Sequence, residues 1–231
     1  MRDEPLRLLL LVAHPDDAEF RAGGLITKYR AAGHTVKIIS LTNGDAGHHE
    51  LARTDLAERR KKEAQAAAAI LDLEYEIWDH HDGELEPTLE LRWQVIRAIR
   101  EFGPDLVLGH RPDDYHPDHR AVGHVVRDAC YLVTVPPIVP ETPPLSRDPV
   151  VGFLYDPFTR PTPFRPDVLL DISNELDTVF ELLNCHESQM FEWLPHNHGL
   201  TESAPSDASG CRALLRQFYE SRVTDIADQF R

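Results

Sequence analysis

The sequence has little of what marks several large protein classes. It holds three cysteines in 231 residues, Cys130, Cys185 and Cys211, widely spaced and without a C-x-x-C. That excludes a disulfide-stapled scaffold and a cysteine-based zinc cluster, and the three read as buried thiols of a reducing compartment. No apolar run approaches the ~18 residues of a membrane span. The run Leu8 to Ala13 is short, follows Asp3 and Glu4, and ends in two aspartates. A secretory leader needs a basic start, a longer apolar stretch and a small-residue cleavage site, so a cytoplasmic location is expected. Basic residues are scarce: Lys+Arg is 24 against 39 Asp+Glu, a formal charge of −15. That charge repels a phosphate backbone and an anionic bilayer, which argues against nucleic-acid and membrane partners. Internal repeats and low-complexity tracts are absent too.

What is present is an alternation of short apolar runs with longer amphipathic segments, the pattern of βαβ units on a mostly parallel sheet. Strands are expected at Arg7 to Ala13, Thr35 to Thr42, Tyr75 to Trp78 and Leu106 to Leu108, with Val150 to Tyr155 and Val168 to Ile172 as further candidates. Helices are expected at Phe20 to Ala32 (with Gly33 ending it), Thr54 to Leu71, Thr88 to Phe102, Asp118 to Val133, Asn174 to Met190 and Gly210 to Tyr219. Within Thr88 to Phe102 the apolar spacing is read at Leu89, Trp93, Ile96 and Ile99. Six prolines between Val135 and Pro149 make that stretch a loop or lid, since proline removes backbone donors. The sequence thus predicts an α/β, Rossmann-like three-layer fold in one domain over residues 1–231, with 135–149 a proline-rich loop and 174–231 a C-terminal helical extension.

Ligands of open α/β sheets bind at the carboxyl ends of strands. The first strand ends in Ala13-His14-Pro15-Asp16-Asp17-Ala18-Glu19. A dinucleotide site needs G-x-G-x-x-G there, and two aspartates would repel the phosphates. The pair suits a cation. His14 and Asp17 are three residues apart at a strand-to-helix junction, and an imidazole with a carboxylate suits Zn²⁺ or Fe²⁺. Asp16 would project differently, toward water at the ion; taken alone, either aspartate also suits a helix N-cap. The second cluster, Asp114-Tyr115-His116-Pro117-Asp118-His119, follows the fourth strand and faces the same crevice. His119 completes two histidines and one carboxylate, and three protein ligands with an open position mark a catalytic rather than a structural site. No role is read for His34, His48, His49, His80, His81, His110, His124, His196 or His198.

A-H-P-D-D-x-E near the start, G-D-A-G after the second strand and H-P-D-H after the fourth resemble the LmbE-like, or PIG-L, deacetylases, zinc-dependent hydrolases of N-acetylglucosamine derivatives. Arg60-Lys61-Lys62-Glu63 resembles the family's R-x-x-E helix, and His186-Glu187-Ser188-Gln189 its H-x-S-Q segment. The resemblance implies zinc on His14, Asp17 and His119, Asp16 as general base, and His116 as general acid or oxyanion stabiliser oriented by Asp118. It also implies a small amino-sugar substrate and is compatible with a trimer or hexamer. Arg60 and Asp82 are candidate substrate contacts; Asp45 is read as a brace of the site loop, and His186 and Gln189 as crevice residues. Alternatives on the same site are an amidase of a thiol conjugate, a metal-assisted hydratase, or a non-catalytic metal- or sugar-binding module.

Overall fold

The computed structural model describes residues 4–199 and 207–229. Its centre is a sheet of five parallel strands in the order β3-β2-β1-β4-β5. These are β1 (Arg7–Val12), β2 (Thr35–Thr42), β3 (Glu74–His80), β4 (Leu106–Gly109) and β5 (Val150–Phe153). In β1 the side chains of Leu8 to Val12 are wholly buried, because a central parallel strand is covered on both faces. Alternation divides them between two cores. Leu9 and Leu11 join one with α3 (Leu89–Phe102) and α4 (Pro117–Leu132); Leu8, Leu10 and Val12 join the other with α1 (Asp17–Ala31). Helix α2 (Arg53–Leu71) follows β2. Helices α5 (Leu176–Asn184) and α7 (Ala208–Gln229) form a third cluster, around Val179, Leu183, Leu215 and Tyr219. The three-layer α/β expectation holds. No described helix is long and apolar enough to cross a membrane.

Several local expectations are corrected. Val168 to Ile172 joins no strand ladder, and Val168 is 83% exposed. Its last residue, Ile172, packs on α1 instead, so close that a Cβ on Gly24 would collide with its Cγ2. Only glycine permits that approach. The expected helix Asn174 to Met190 breaks after Asn184 and resumes as a π-helical turn, Ser188–Trp193, followed by the short α6 (Leu194–Asn197). The break coincides with capture of Ser188, whose N–H and Oγ donate to Glu63 at 2.9 and 2.6 Å. In α3 the buried apolar residues are Leu91, Val95, Ile96, Ile99 and Phe102, while Leu89 and Trp93 face outward. The three cysteines are only partly buried.

The proline-rich stretch carries neither helix nor strand; Arg97 pairs with its Glu141, but its main side-chain anchor is an arginine further along α3. Arg100 of α3 donates to the carbonyls of Leu132, Val133, Val135, Ile138, Val139 and Thr142 at 2.7–3.2 Å. Prolines leave few donors of their own for these carbonyls, so a guanidinium with five N–H groups supplies them. Arg100→Leu is expected to destabilise the fold by about 2–4 kcal/mol, read as a lower Tm and faster amide exchange in 132–142; an unchanged exchange pattern would show that the loop holds itself.

Candidate active site

The order β3-β2-β1-β4-β5 reverses direction between β1 and β4, and a crevice opens there at the strands' carboxyl ends. Two loops fill it. After β1 the chain turns through His14-Pro15-Asp16 into α1, with Asp16 at φ 128°. Asp16 occupies the N-cap position but its side chain caps nothing; Asp17 Oδ2 accepts the His14 N–H at 2.8 Å and tightens the turn. After β4 the chain runs through His110 to His116 into α4, and Gly123 lets that helix lie directly on the loop. A Cβ there would stand 2.6 Å from the backbone of Arg111 and Pro112.

These loops bring His14, Asp17 and His119 together. His14 Nδ1 lies 3.2 Å from Asp17 Oδ2, His119 Nε2 lies 3.3 Å from His14 Nδ1, and His119 Nε2 lies 3.4 Å from Asp17 Oδ2. A tetrahedral ion bonded at about 2.0–2.1 Å needs donors about 3.3–3.4 Å apart. Two imidazole nitrogens and a carboxylate oxygen in such a triangle fit zinc or a similar divalent ion. The outer nitrogens of both rings face carboxylates, an arrangement that orients metal-binding histidines. His14 Nε2 lies 3.1 Å from Asp118 Oδ2 and 3.2 Å from Asp82 Oδ1, and His119 Nδ1 lies 3.1 Å from Asp114 Oδ1.

The electrostatics agree. Asp17, Asp82, Asp114 and Asp118 are all buried, and such a concentration of carboxylates suits a bound cation. Burial opposes a charge on His14, yet hydrogen bonds to Asp118, Asp17 and Asp82 raise its pKa well above the ordinary value. Burial likewise opposes charge on Asp17, but the His119 and His110 rings hold its carboxyl well below the usual range. Asp16 behaves differently. Burial, reinforced by Asp17, pushes its carboxyl up to about 6 against the pull of Arg60. The carboxylate beside the triangle is therefore the one whose affinity for a proton is raised.

His116 lies against the triangle, its ring edge-on to His14 with centroids 4.7 Å apart. The Asp118 carboxylate, expected to orient His116, makes its direct contacts elsewhere. It accepts from the Gly83 and Leu85 amides and engages His14. The contact with His116 is made by the backbone, Asp118 N–H donating to His116 Nδ1 at 3.3 Å. That leaves Nε2 to carry the proton of a neutral ring. Burial and the His14 and His119 rings also lower the His116 pKa, as expected of a ring at a helix N-terminus.

Arg60 and Asp82 reach the site but serve it from behind. Arg60 is buried. It donates to the Pro15 and Gly44 carbonyls at 2.6 and 3.1 Å and pairs with Asp16 Oδ2 at 3.1 Å. Asp82, 3.6 Å from Arg60, is engaged with His14, and its own N–H donates to Asp45 Oδ1, so Asp45 does brace the loop. His186 is fully buried 3.3 Å from Glu19, and Gln189 holds the Gly47 carbonyl. Sequence reasoning missed His110 and Asp114. His110 stacks flat on His119, centroids 3.8 Å apart, and its Nε2 accepts the Ala13 N–H. Burial and His119 push its pKa down to about 4, so it stays neutral and fixes the His119 ring by packing. Its position directly after β4, beside the switch point, was the available signal.

The family model described as GlcNAc-PI de-N-acetylase (PIG-L) matches residues 9–130. The chain is 30% identical over 207 residues to a diacetylchitobiose deacetylase of Thermococcus kodakarensis, covering 82% of this chain and 74% of that one. It is 26% identical over 194 residues to a 4-oxalmesaconate hydratase of Pseudomonas putida, covering 80% and 74%. In structure it is similar to the N,N'-diacetylchitobiose deacetylase of Pyrococcus horikoshii, with a TM-score of 0.75 at 23% identity over 94% of this chain and 79% of that one.

Asp118→Asn, which weakens the support of His14, is expected to lower divalent-metal affinity by about 10–100-fold, measured by competition with a chelating dye. Asp17→Ala should lose more; equal affinity in both variants and the wild type would place the ion elsewhere.

Proposed function

Because the chain belongs to the PIG-L family of GlcNAc-PI de-N-acetylases, we propose that it hydrolyses the N-acetyl amide of an N-acetylglucosamine-type sugar or conjugate, releasing acetate. A divalent ion, zinc in this reading, is held by His14, Asp17 and His119. The observation that carries the reading is the donor triangle of 3.2–3.4 Å closed by two distant loops, with Asp16 beside it and outside it. A non-catalytic metal module has no use for that spare carboxylate.

When bound, the ion supplies Lewis acidity toward the amide carbonyl and the attacking water. Asp16 takes a proton from that water as its oxygen bonds to the carbonyl carbon. Arg60 keeps the Asp16 carboxylate in place through its 3.1 Å contact. The neutral His116 ring donates its Nε2 proton as a hydrogen bond to the carbonyl oxygen as negative charge develops, a contribution typically of about 3–4 kcal/mol. The carbon–nitrogen bond then breaks, and the proton held by Asp16 passes to the departing amine. His116 thus acts as an oxyanion stabiliser. The similarity to a hydratase supports water addition to an activated double bond as the second reading, and acetate release separates the two.

The exposed apolar residues Val150 and Phe153 of the edge strand support a homo-oligomer, for which the family resemblance suggests a trimer or hexamer. A cytoplasmic location fits the partly exposed thiols, which an oxidising compartment would leave reactive.

Asp16→Asn is expected to lower kcat for acetate release by about 10²–10⁴-fold while bound metal stays at the wild-type level; loss of the metal with activity would move Asp16 into the ligand set. Chelation should abolish acetate release and added Zn²⁺ restore it, whereas full activity in the metal-free protein would refute the scheme.

A further inference from the structure

The proposed base stands in a backbone conformation that it does not hold by itself. Asp16 is at φ 128°, ψ −26°, which a residue with a Cβ keeps only when its surroundings impose it. Its carbonyl accepts the Phe20 N–H at 2.9 Å, so the setting of Asp16 and that of the first turn of α1 are tied together. Arg60 supplies one hold, on the Pro15 carbonyl at 2.6 Å and on the Asp16 carboxylate at 3.1 Å. A second hold comes from the C-terminal part of the chain. Glu19, three residues on and so beside Asp16 on that turn, has its Oε1 3.3 Å from His186 Nε2.

Glu19 and His186 are fully buried, and among the described residues neither side chain has a hydrogen-bond partner; they stand at ion-pair distance without hydrogen-bond geometry. A buried pair of this kind is a weak source of stability, and what it supplies is a fixed position. His186 is itself fixed by the break that follows α5. Its carbonyl accepts the Gln189 and Met190 N–H groups at 3.1 and 2.8 Å, and two residues on Ser188 is held by Glu63 at 2.6 Å. Glu63 lies one turn of α2 beyond Arg60. The contacts therefore close a ring of three segments. Asp16 and Glu19 share α1, Glu19 meets His186, Ser188 meets Glu63, and Arg60 returns from α2 to Asp16.

We propose that His186 is a positioning residue for Asp16: through Glu19 it locks the first turn of α1 to the frame that carries Arg60, and so keeps the base aimed at the donor triangle. The inference rests on the deacetylase reading for what that aim accomplishes, while the brace itself is independent of the reaction. It gives the segment His186-Glu187-Ser188-Gln189 a function that requires no contact with substrate.

Acetate release by the zinc-loaded protein tests the aim. His186→Ala is expected to lower kcat about 10–100-fold while KM and bound zinc stay at the wild-type level. His186→Gln, whose amide nitrogen takes the place of Nε2, should show the same split at a smaller loss, and it carries the test if the alanine variant does not fold. In an Asp16→Asn background His186→Ala should cost nothing further, since its effect passes through Asp16. Ile99→Ala, a truncation in the core shared with α3, should lower Tm and leave kcat unchanged. Wild-type kcat in His186→Ala, an equal loss in Ile99→Ala, or a full further loss in the Asp16→Asn background overturns the proposal. The brace is also read without turnover, by amide exchange. His186→Ala should speed exchange at Asp17 and Phe20, whose N–H groups donate to the His14 and Asp16 carbonyls, and Ile99→Ala should not. Unchanged exchange at both positions overturns the brace. A wild-type protein that releases no acetate, with the exchange response intact, sinks the deacetylase reading and leaves the brace standing.

Discussion

The site depends on the pairing of β1 with β4. Their register, Leu8 opposite Leu106 through Leu11 opposite Gly109, fixes where the two following loops begin. His14 emerges from one strand and the His110 to His119 segment from the other, so residues 105 apart in sequence meet within 3.3 Å. Nothing in either loop could achieve this alone. The buried leucines of β1, divided between two cores, hold that strand in the centre of the sheet; α4, pressed onto its own loop at Gly123, sets the height of His119.

Around that geometry the charges are arranged in two tiers. The inner donors are two rings and one carboxylate, and the outer tier is acidic: Asp82 and Asp118 behind His14, Asp114 behind His119. The outer carboxylates select which nitrogen of each ring faces inward. Arg60 offsets the acidity on one side only, where it holds Asp16 and Asp82. Asp16 and Asp17, adjacent in sequence, thereby receive opposite environments. The one among imidazoles ionises readily and the one pressed into the turn keeps its proton to about 6, a divergence suited to one ligand and one base.

Much of this was legible in the sequence. The apolar runs gave the strands their positions and the His-Pro-Asp motifs gave the crevice its chemistry, because both signals are local. What failed was non-local. Val168 to Ile172 has a strand's composition, but composition cannot say that no sheet edge lies within reach or that Gly24 offers Ile172 a seat. Arg60 is a candidate substrate contact in the sequence, and no spacing says that the turn at Pro15 and Gly44 folds against it. The resemblance pairs Asp118 with His116, and no spacing foretells that its carboxylate also bridges to His14 and to the amides of Gly83 and Leu85. His110 carried no motif, and only its place after a central strand marked it.

The separation of the donors along the chain also sets an order of events during maturation. Metal donors contributed by adjacent residues can seize an ion while the chain is still disordered, and can then steer folding. In the proposed ligand set two donors follow β1 and the third arrives only when a long-range parallel pairing has formed, among the slowest kinds of contact to close. The nascent polypeptide therefore has no complete chelate to offer. In the proposed scheme metal acquisition comes late, on a sheet already assembled, and the ion then ties its two halves together rather than guiding how they met.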